Sequence, residues 1–194
     1  MTRAKRKANI LVVGPNKSGK TTLLETLSMT PLKEIEHHSG ELVESNHPDC
    51  VEYGAFLTKE LEVELRSLPF RNTEQFDMPD FSWMTCKKGV DAVMTLIPAD
   101  SPQSLLSARE MLNRFQQSYS GPLVLALTHT DKGFSWEKQE VARFFEIAED
   151  DVIFLDPRDY TDSLSALNYL FEYIPLPSTP VTRRVASRQL QFAS

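Results

Sequence analysis

Apolar positions in this chain fall in short runs separated by polar, proline-containing stretches. Ala8 to Val13 is an apolar, β-branched run of the kind that fills a buried strand, and Thr21 to Ser28 reads as a helix opening just after it. Pro31 to Asp49 carries no clear period and reads as a long loop, which in a compact domain is usually functional. Cys50 to Leu57 and Leu61 to Leu65 follow as extended segments, the second alternating strictly between apolar and charged positions. They read as neighbouring strands, an antiparallel hairpin turning at Thr58, Lys59 and Glu60. Ser67 to Pro79 is a second polar loop, Trp83 to Lys87 a short helical piece, and Val90 to Ile97 a buried strand.

Helices and strands then alternate. Ser101 to Ser118 predicts a helix capped by Ser101, with Leu105, Leu106, Ala108 and Leu112 toward the core. Leu123 to Leu127 predicts a strand, Ser135 to Phe145 a helix capped by Ser135, Val152 to Leu155 a strand and Asp162 to Ile174 a last helix. This order implies an α/β three-layer sandwich with a mainly parallel sheet of about six strands, helices on both faces and ligands at the carboxyl ends of the strands. The run Pro175 to Pro180 cannot continue a helix, so the folded domain is expected to cover residues 8–174, between a basic extension (1–7) and a flexible tail (175–194).

Composition narrows the class without changing that outline. A chain of 194 residues with 41% hydrophobic and 25% charged residues supports one core, and no apolar stretch approaches the ~18 residues that span a bilayer. A cytoplasmic protein is the expectation, with Cys50 and Cys86 as free thiols. The net charge of −6 argues against nucleic acid as a partner. The ends are basic, with Arg3, Lys5, Arg6 and Lys7 at one and Arg183, Arg184 and Arg188 at the other. Two readings stay open for them: solvated flexible ends, or peripheral contact with a membrane or other anionic surface.

The most specific chemistry lies between the first strand and the first helix. Gly14-Pro15-Asn16-Lys17-Ser18-Gly19-Lys20-Thr21 satisfies every fixed position of G-x-x-x-x-G-K-[ST]. Glycines let such a loop wrap a phosphate with its N–H groups, and the helix N-terminus adds its positive dipole end. Gly14, Asn16, Lys17, Ser18, Gly19, Lys20, Thr21 and Thr22 are therefore candidate nucleotide-binding residues. Lys20 is the candidate catalytic cation on the β- and γ-phosphates, and Thr21 the candidate Mg²⁺ ligand. His37, His38 and His47 share a loop without zinc-type spacing.

A phosphate loop followed by a loop, two strands, a second loop and three further strand–helix units resembles the small Ras-like GTPases over residues 8–174. Phe81-Ser82-Trp83-Met84 leading into Lys88 to Val93 resembles the bacterial gliding-motility MglA-like group and its actinobacterial conservon relatives, and Asp156 to Asp159 resembles the conservon group. The resemblance implies a P-loop NTPase of the Ras-like G-domain type that binds GTP or GDP with Mg²⁺. It also implies a protein partner, either a roadblock-type dimer or an activating protein. Where the family reads guanine with N-K-x-D, this chain has Thr128-His129-Thr130-Asp131. An Asp131 carboxylate can accept both the guanine N1–H and the exocyclic amine. Thr128 and His129 stand for the Asn and Lys, the imidazole being able to stack; the bland alternative is that Asp131 only caps a turn. The family's S-A-K segment falls on Asp156-Pro157-Arg158, where Pro157 has no N–H for the guanine carbonyl.

The hydrolytic motifs depart further. Ser67, Phe70 and Arg71 occupy the positions of the Asp, Gly and Gln of D-x-x-G-Q, and Pro48 that of the first-switch Thr, with Ser45 the nearest hydroxyl. Arg71 is a candidate catalytic residue as a built-in arginine finger, with an ordinary surface residue as the alternative. The resemblance therefore implies slow or partner-dependent GTP hydrolysis. Two other classes stay open. One is a pseudo-GTPase scaffold; the other is an ATP-using P-loop enzyme, in which Asp156, ending the apolar run Val152 to Leu155, would hold Mg²⁺.

Overall fold

The computed structural model describes residues 6–38, 41–44, 51–57, 61–67, 89–100, 102–117, 119–133 and 136–174. The elements in chain order are β1 (Arg6–Val13), α1 (Lys20–Leu27), β2 (Lys33–His38), β3 (Glu41–Glu44), β4 (Val51–Leu57) and β5 (Leu61–Ser67). They continue with β6 (Ala92–Pro98), α2 (Pro102–Gln116), β7 (Leu123–Thr128), α3 (Lys138–Phe145), β8 (Val152–Phe154) and α4 (Tyr160–Tyr173).

The strands form one sheet in the order β3-β2-β4-β5-β1-β6-β7-β8. From β5 through β8 the neighbours are parallel, while β4 on β5, β2 on β4 and β3 on β2 are antiparallel. Alternation along β1 supplies both faces. Ala8, Ile10 and Val12 pack with Leu23, Leu24 and Leu27 of α1 and Ala166, Leu167 and Leu170 of α4. Leu11 and Val13 face the other way, toward Met111 and Leu112 of α2. Ile97, Leu125 and Leu127 pack beside them with Val141, Ala142 and Phe145 of α3. The three-layer α/β sandwich expected from the alternation of elements is thus present, with β1 buried on both sides as a central parallel strand requires.

Several local expectations are corrected. The stretch 31–49 is not one long loop: β2 and β3 form a hairpin within it that widens the sheet to eight strands. The rungs Lys33↔Tyr53, Glu34↔Glu52 and Ile35↔Val51 are supplied by the edge of β4, a partner no local window contains. In α2, Leu105, Ala108, Met111 and Leu112 are buried, whereas Leu106 is 52% exposed because its turn position faces away from the sheet. Helix α3 begins at Lys138, not Ser135; Glu140 accepts a hydrogen bond from the Glu137 N–H at 2.8 Å and stabilises that start. Helix α4 begins at Tyr160, two residues before the expected Asp162, because the Asp159 carboxylate accepts from the Asp162 N–H at 2.9 Å. The strands β4 and β5 pair antiparallel, as expected. The Thr58–Glu60 turn, the loop after Ser67, the helical piece at 83–87, the Ser101 cap, Cys86, the basic extension (residues 1–5) and the tail lie outside the described residues. No helix among the described residues is long and apolar enough to cross a membrane.

Candidate functional site

Residues 14–19 join the carboxyl end of β1 to α1, between the two parallel neighbours β5 and β6. Gly14 has φ 154° and Gly19 φ 94°, conformations that side chains rarely adopt. A Cβ on Gly14 would strike the Leu96 carbonyl oxygen, and one on Gly19 would lie 2.7 Å from Pro157 Cγ. Lys17 is also left-handed at φ 61°, and its N–H is held by the Asn16 Oδ1 at 3.0 Å. Asn16 and Lys17 are exposed at the rim. Ser18 is buried, its N–H donating to the Pro15 carbonyl at 3.3 Å and its Oγ making no hydrogen bond.

Lys20 opens α1 but its ammonium folds back over the loop, donating to the carbonyls of Gly14 and Pro15 at 2.9 Å each. It is only 8% exposed. Burial lowers its pKa from 10.5 to about 8, while the Glu52 carboxylate nearby acts in the opposite sense. Thr21 turns its hydroxyl out of the helix to both carboxylate oxygens of Glu52, at 2.7 and 2.9 Å. Thr22 lies beside it in the first turn, half-buried. The cradle therefore presents a cation, a hydroxyl and a carboxylate at the start of one helix.

The second cluster lies at the carboxyl end of β7. Thr128 is fully buried, and its Oγ1 donates to the Ser18 carbonyl at 3.0 Å, so it ties this strand end directly to the phosphate-type loop. His129 is left-handed at φ 59° and leads into the turn Thr130–Lys132 that carries Asp131. Asp100 faces this cluster, with Lys132 Nζ at 3.1 Å; His129 Nδ1 lies at 3.3 Å, without hydrogen-bond alignment. Asp131 and Arg158 are exposed and meet at 3.6 Å. Arg158 also clasps Asp156 at 2.8 Å through two nitrogens, and chiefly through that side-chain bond lowers the Asp156 pKa from 3.8 to about 2. Pro157 between them is buried, and its carbonyl accepts from Thr26 Oγ1 at 2.7 Å and Ser163 Oγ at 3.5 Å. The segment is pinned to α1 and α4.

Of the sequence-predicted residues, Gly14, Asn16, Lys17, Ser18, Gly19, Lys20, Thr21 and Thr22 share one loop and helix start, and Thr128 bridges that loop to His129 and Asp131. Arg158 joins them from the far side of β8, a meeting that its place in the chain does not announce. Thr128 is fully buried, with its hydroxyl engaged by the Ser18 carbonyl. Arg71, Phe70, Pro48 and Ser45 lie outside the described residues, and the side chains of His37 and His38 are not described. Asp156, considered as an Mg²⁺ ligand, follows the sheet's edge strand β8 and is engaged by Arg158, while the carboxylate beside Thr21 belongs to Glu52.

Glu52 and Asp100 are the residues that sequence reasoning missed. The signal for Glu52 was its place in a β-run next to a functional loop, but only the register of β4 shows which residue faces Thr21. A hydroxyl and a carboxylate are hard oxygen donors of the kind Mg²⁺ takes, so the residues present fit that ion. Among the described residues no group of three His, Cys, Asp or Glu could hold a metal by itself. Phosphate oxygens would have to complete the shell, as is usual where Mg²⁺ arrives with a nucleotide.

Against solved structures this arrangement finds close company in shape and little in sequence. The G domain of the T. maritima FeoB iron transporter superposes with a TM-score of 0.60 at 20% identity, covering 87% of this chain and 99% of that one. This chain has a G-domain fold. The cytosolic domain of L. pneumophila FeoB gives 0.61 at 19% identity, covering 85% of this chain and 68% of that chain. A mutant S. thermophilus NFeoB bound to GDP gives 0.61 at 15% identity, covering 86% and 63%. The T. maritima cytosolic domain is known in GMPPNP and GDP forms. No protein-family profile matches the chain, and no curated sequence does. At these identities the likeness establishes the fold alone. It does not single out the MglA-like group within it.

Proposed function

We propose that this chain is a GTP-binding regulatory protein, a Ras-like GTPase of the bacterial MglA-like type, with weak or partner-dependent hydrolysis. The observation that carries the reading is the bond from Thr128 to the Ser18 carbonyl, which sets the candidate base-reading turn against a complete phosphate-type loop. Loop amides and Lys20 bind the phosphates, the Thr21 hydroxyl ligates Mg²⁺, and the Asp131 carboxylate accepts from the guanine edge. Held by the Thr21 hydroxyl and the phosphates, Mg²⁺ would supply charge neutralisation at the phosphate oxygens. Lys20 is already desolvated and aimed at carbonyls that phosphate oxygens outcompete as acceptors, so binding returns a full partner to its ammonium. Arg158 must release Asp131 for the base to enter; once free, its guanidinium offers a donor to a base carbonyl where Pro157 has no N–H. Arg71, or a group brought by an activating protein or roadblock-type dimer, supplies the missing catalytic charge, and the protein acts in the cytoplasm with the basic ends available to an anionic surface.

The test is a titration of nucleotide-stripped protein with fluorescent GDP, GTP and ATP in Mg²⁺. Guanine nucleotides are expected to bind in preference to ATP, Lys20→Ala to abolish binding, and Asp131→Asn to shift preference from GTP toward xanthosine triphosphate. Unchanged GTP affinity in Asp131→Asn sinks the guanine assignment, and equal competition by ATP moves the site to adenine nucleotides. A second reading, a scaffold without turnover, is favoured by Ser67 ending β5 where a catalytic G domain carries a carboxylate. Single-turnover hydrolysis that Lys20→Ala abolishes would reject it.

A further inference from the structure

Ser67 and Glu52 are directly opposed across the antiparallel ladder of β5 and β4. Opposed residues of such a pair project from the same face of the sheet, with Cβ atoms about 5 Å apart. Ser67 is buried at the end of β5 and offers a hydroxyl, not a carboxylate. Glu52 starts one strand further out, and its side chain is longer than that of serine by one methylene and the carboxyl carbon. Its carboxylate reaches Thr21 Oγ1 with both oxygens, at 2.7 and 2.9 Å.

We infer that Glu52 is the metal-positioning carboxylate of this site, transferred across one rung of the sheet from the Ser67 position to the neighbouring strand. The inference rests on the nucleotide-binding reading. In the nucleotide-free protein the Thr21 hydroxyl donates to Glu52. When a divalent cation enters with a nucleotide, that hydroxyl turns its lone pair to the ion, and the carboxylate binds the ion or one of its waters. Glu52 lies in β4 and not in the phosphate loop, so cation binding is coupled to the antiparallel wing β3-β2-β4.

The experiment uses the full chain and fluorescent GDP, titrated first in chelator and then with Mg²⁺, alongside Mn²⁺ binding to the protein–GDP complex by electron paramagnetic resonance. Wild type, Glu52→Gln and Glu52→Ala are compared, with thermal melts showing that each is folded. The expected result is nucleotide affinity in chelator within a few-fold of wild type, and Mg²⁺ and Mn²⁺ affinity weakened about ten- to a hundredfold in both variants. Unchanged metal affinity with intact GDP binding overturns the role of Glu52 while leaving the nucleotide reading in place. GDP affinity in chelator that rises strongly in Glu52→Gln with unchanged metal dependence also overturns it, by showing that the carboxylate merely repels phosphate. Absence of GDP binding by the wild type under every condition overturns both.

Discussion

Replacing Lys20 by methionine should make the nucleotide-free protein more stable while destroying its phosphate site. The side chain is 8% exposed, and its ammonium is met by two carbonyl oxygens and, more distantly, by Glu52. A pKa lowered from 10.5 to about 8 corresponds to a penalty of about 3 kcal/mol on the charged form in the folded state. Two hydrogen bonds to carbonyls return about 1 kcal/mol each, so methionine, of similar length and without charge, is expected to stabilise by about 1–2 kcal/mol at pH 7. The pH dependence fixes the cause. Between pH 8 and 10.5 the unfolded chain keeps a proton on Lys20 that the folded protein has lost, so unfolding takes up a proton at this group and its contribution to wild-type stability rises with pH. Below pH 8 the penalty is fully present; above 10.5 it is gone. Urea unfolding of stripped wild type and Lys20→Met, followed by circular dichroism across that range, should show the gap close as pH rises, since all other groups titrate equally in the two proteins. A variant that is less stable at pH 7, or a gap indifferent to pH, refutes the account of a desolvated, strained cation waiting for phosphate.

Two further consequences test the links between the clusters. Thr128→Val keeps the shape of a fully buried side chain but leaves the Ser18 carbonyl without its donor, so a loss of about 1–3 kcal/mol by denaturant unfolding is expected, with weakened phosphate binding; an unaffected loop would show the tie to be incidental. Arg158→Ala removes the side chain that chiefly holds the Asp156 carboxyl at about 2, so NMR titration should find that carboxyl closer to its ordinary 3.8. Because the folded value is the lower one, the stabilisation from this pair is present above about pH 4 and lost as pH falls toward 2, and it is small since both partners are solvent-exposed.

The chain announces its fold through elements whose signals are local. The apolar run of β1, the glycine-bounded loop and the start of α1 read correctly because a buried parallel strand, left-handed glycines and a helix opening each leave a mark within a few residues. The later strand–helix alternation was equally visible, since α2, α3 and α4 each present an apolar stripe to one face of the sheet. Where a local mark competed with another, boundaries moved: Asp159 rather than the next aspartate caps α4, and Leu106 sits on the wrong side of its helix to be core.

Sequence by itself therefore determined the phosphate-type loop, the α/β class and the candidate residues Lys20, Thr21 and Asp131, because their chemistry depends on identity and close spacing. Tertiary structure alone decided which groups meet them. Glu52 reaches Thr21 across 31 positions through the register of β4 on β5, and Arg158 reaches Asp131 around the end of β8. The β2–β3 hairpin exists because β4 offers it an open edge. Charge pairing and edge pairing act over ångströms in space whatever the separation along the chain, and the pattern of a short window holds no record of them.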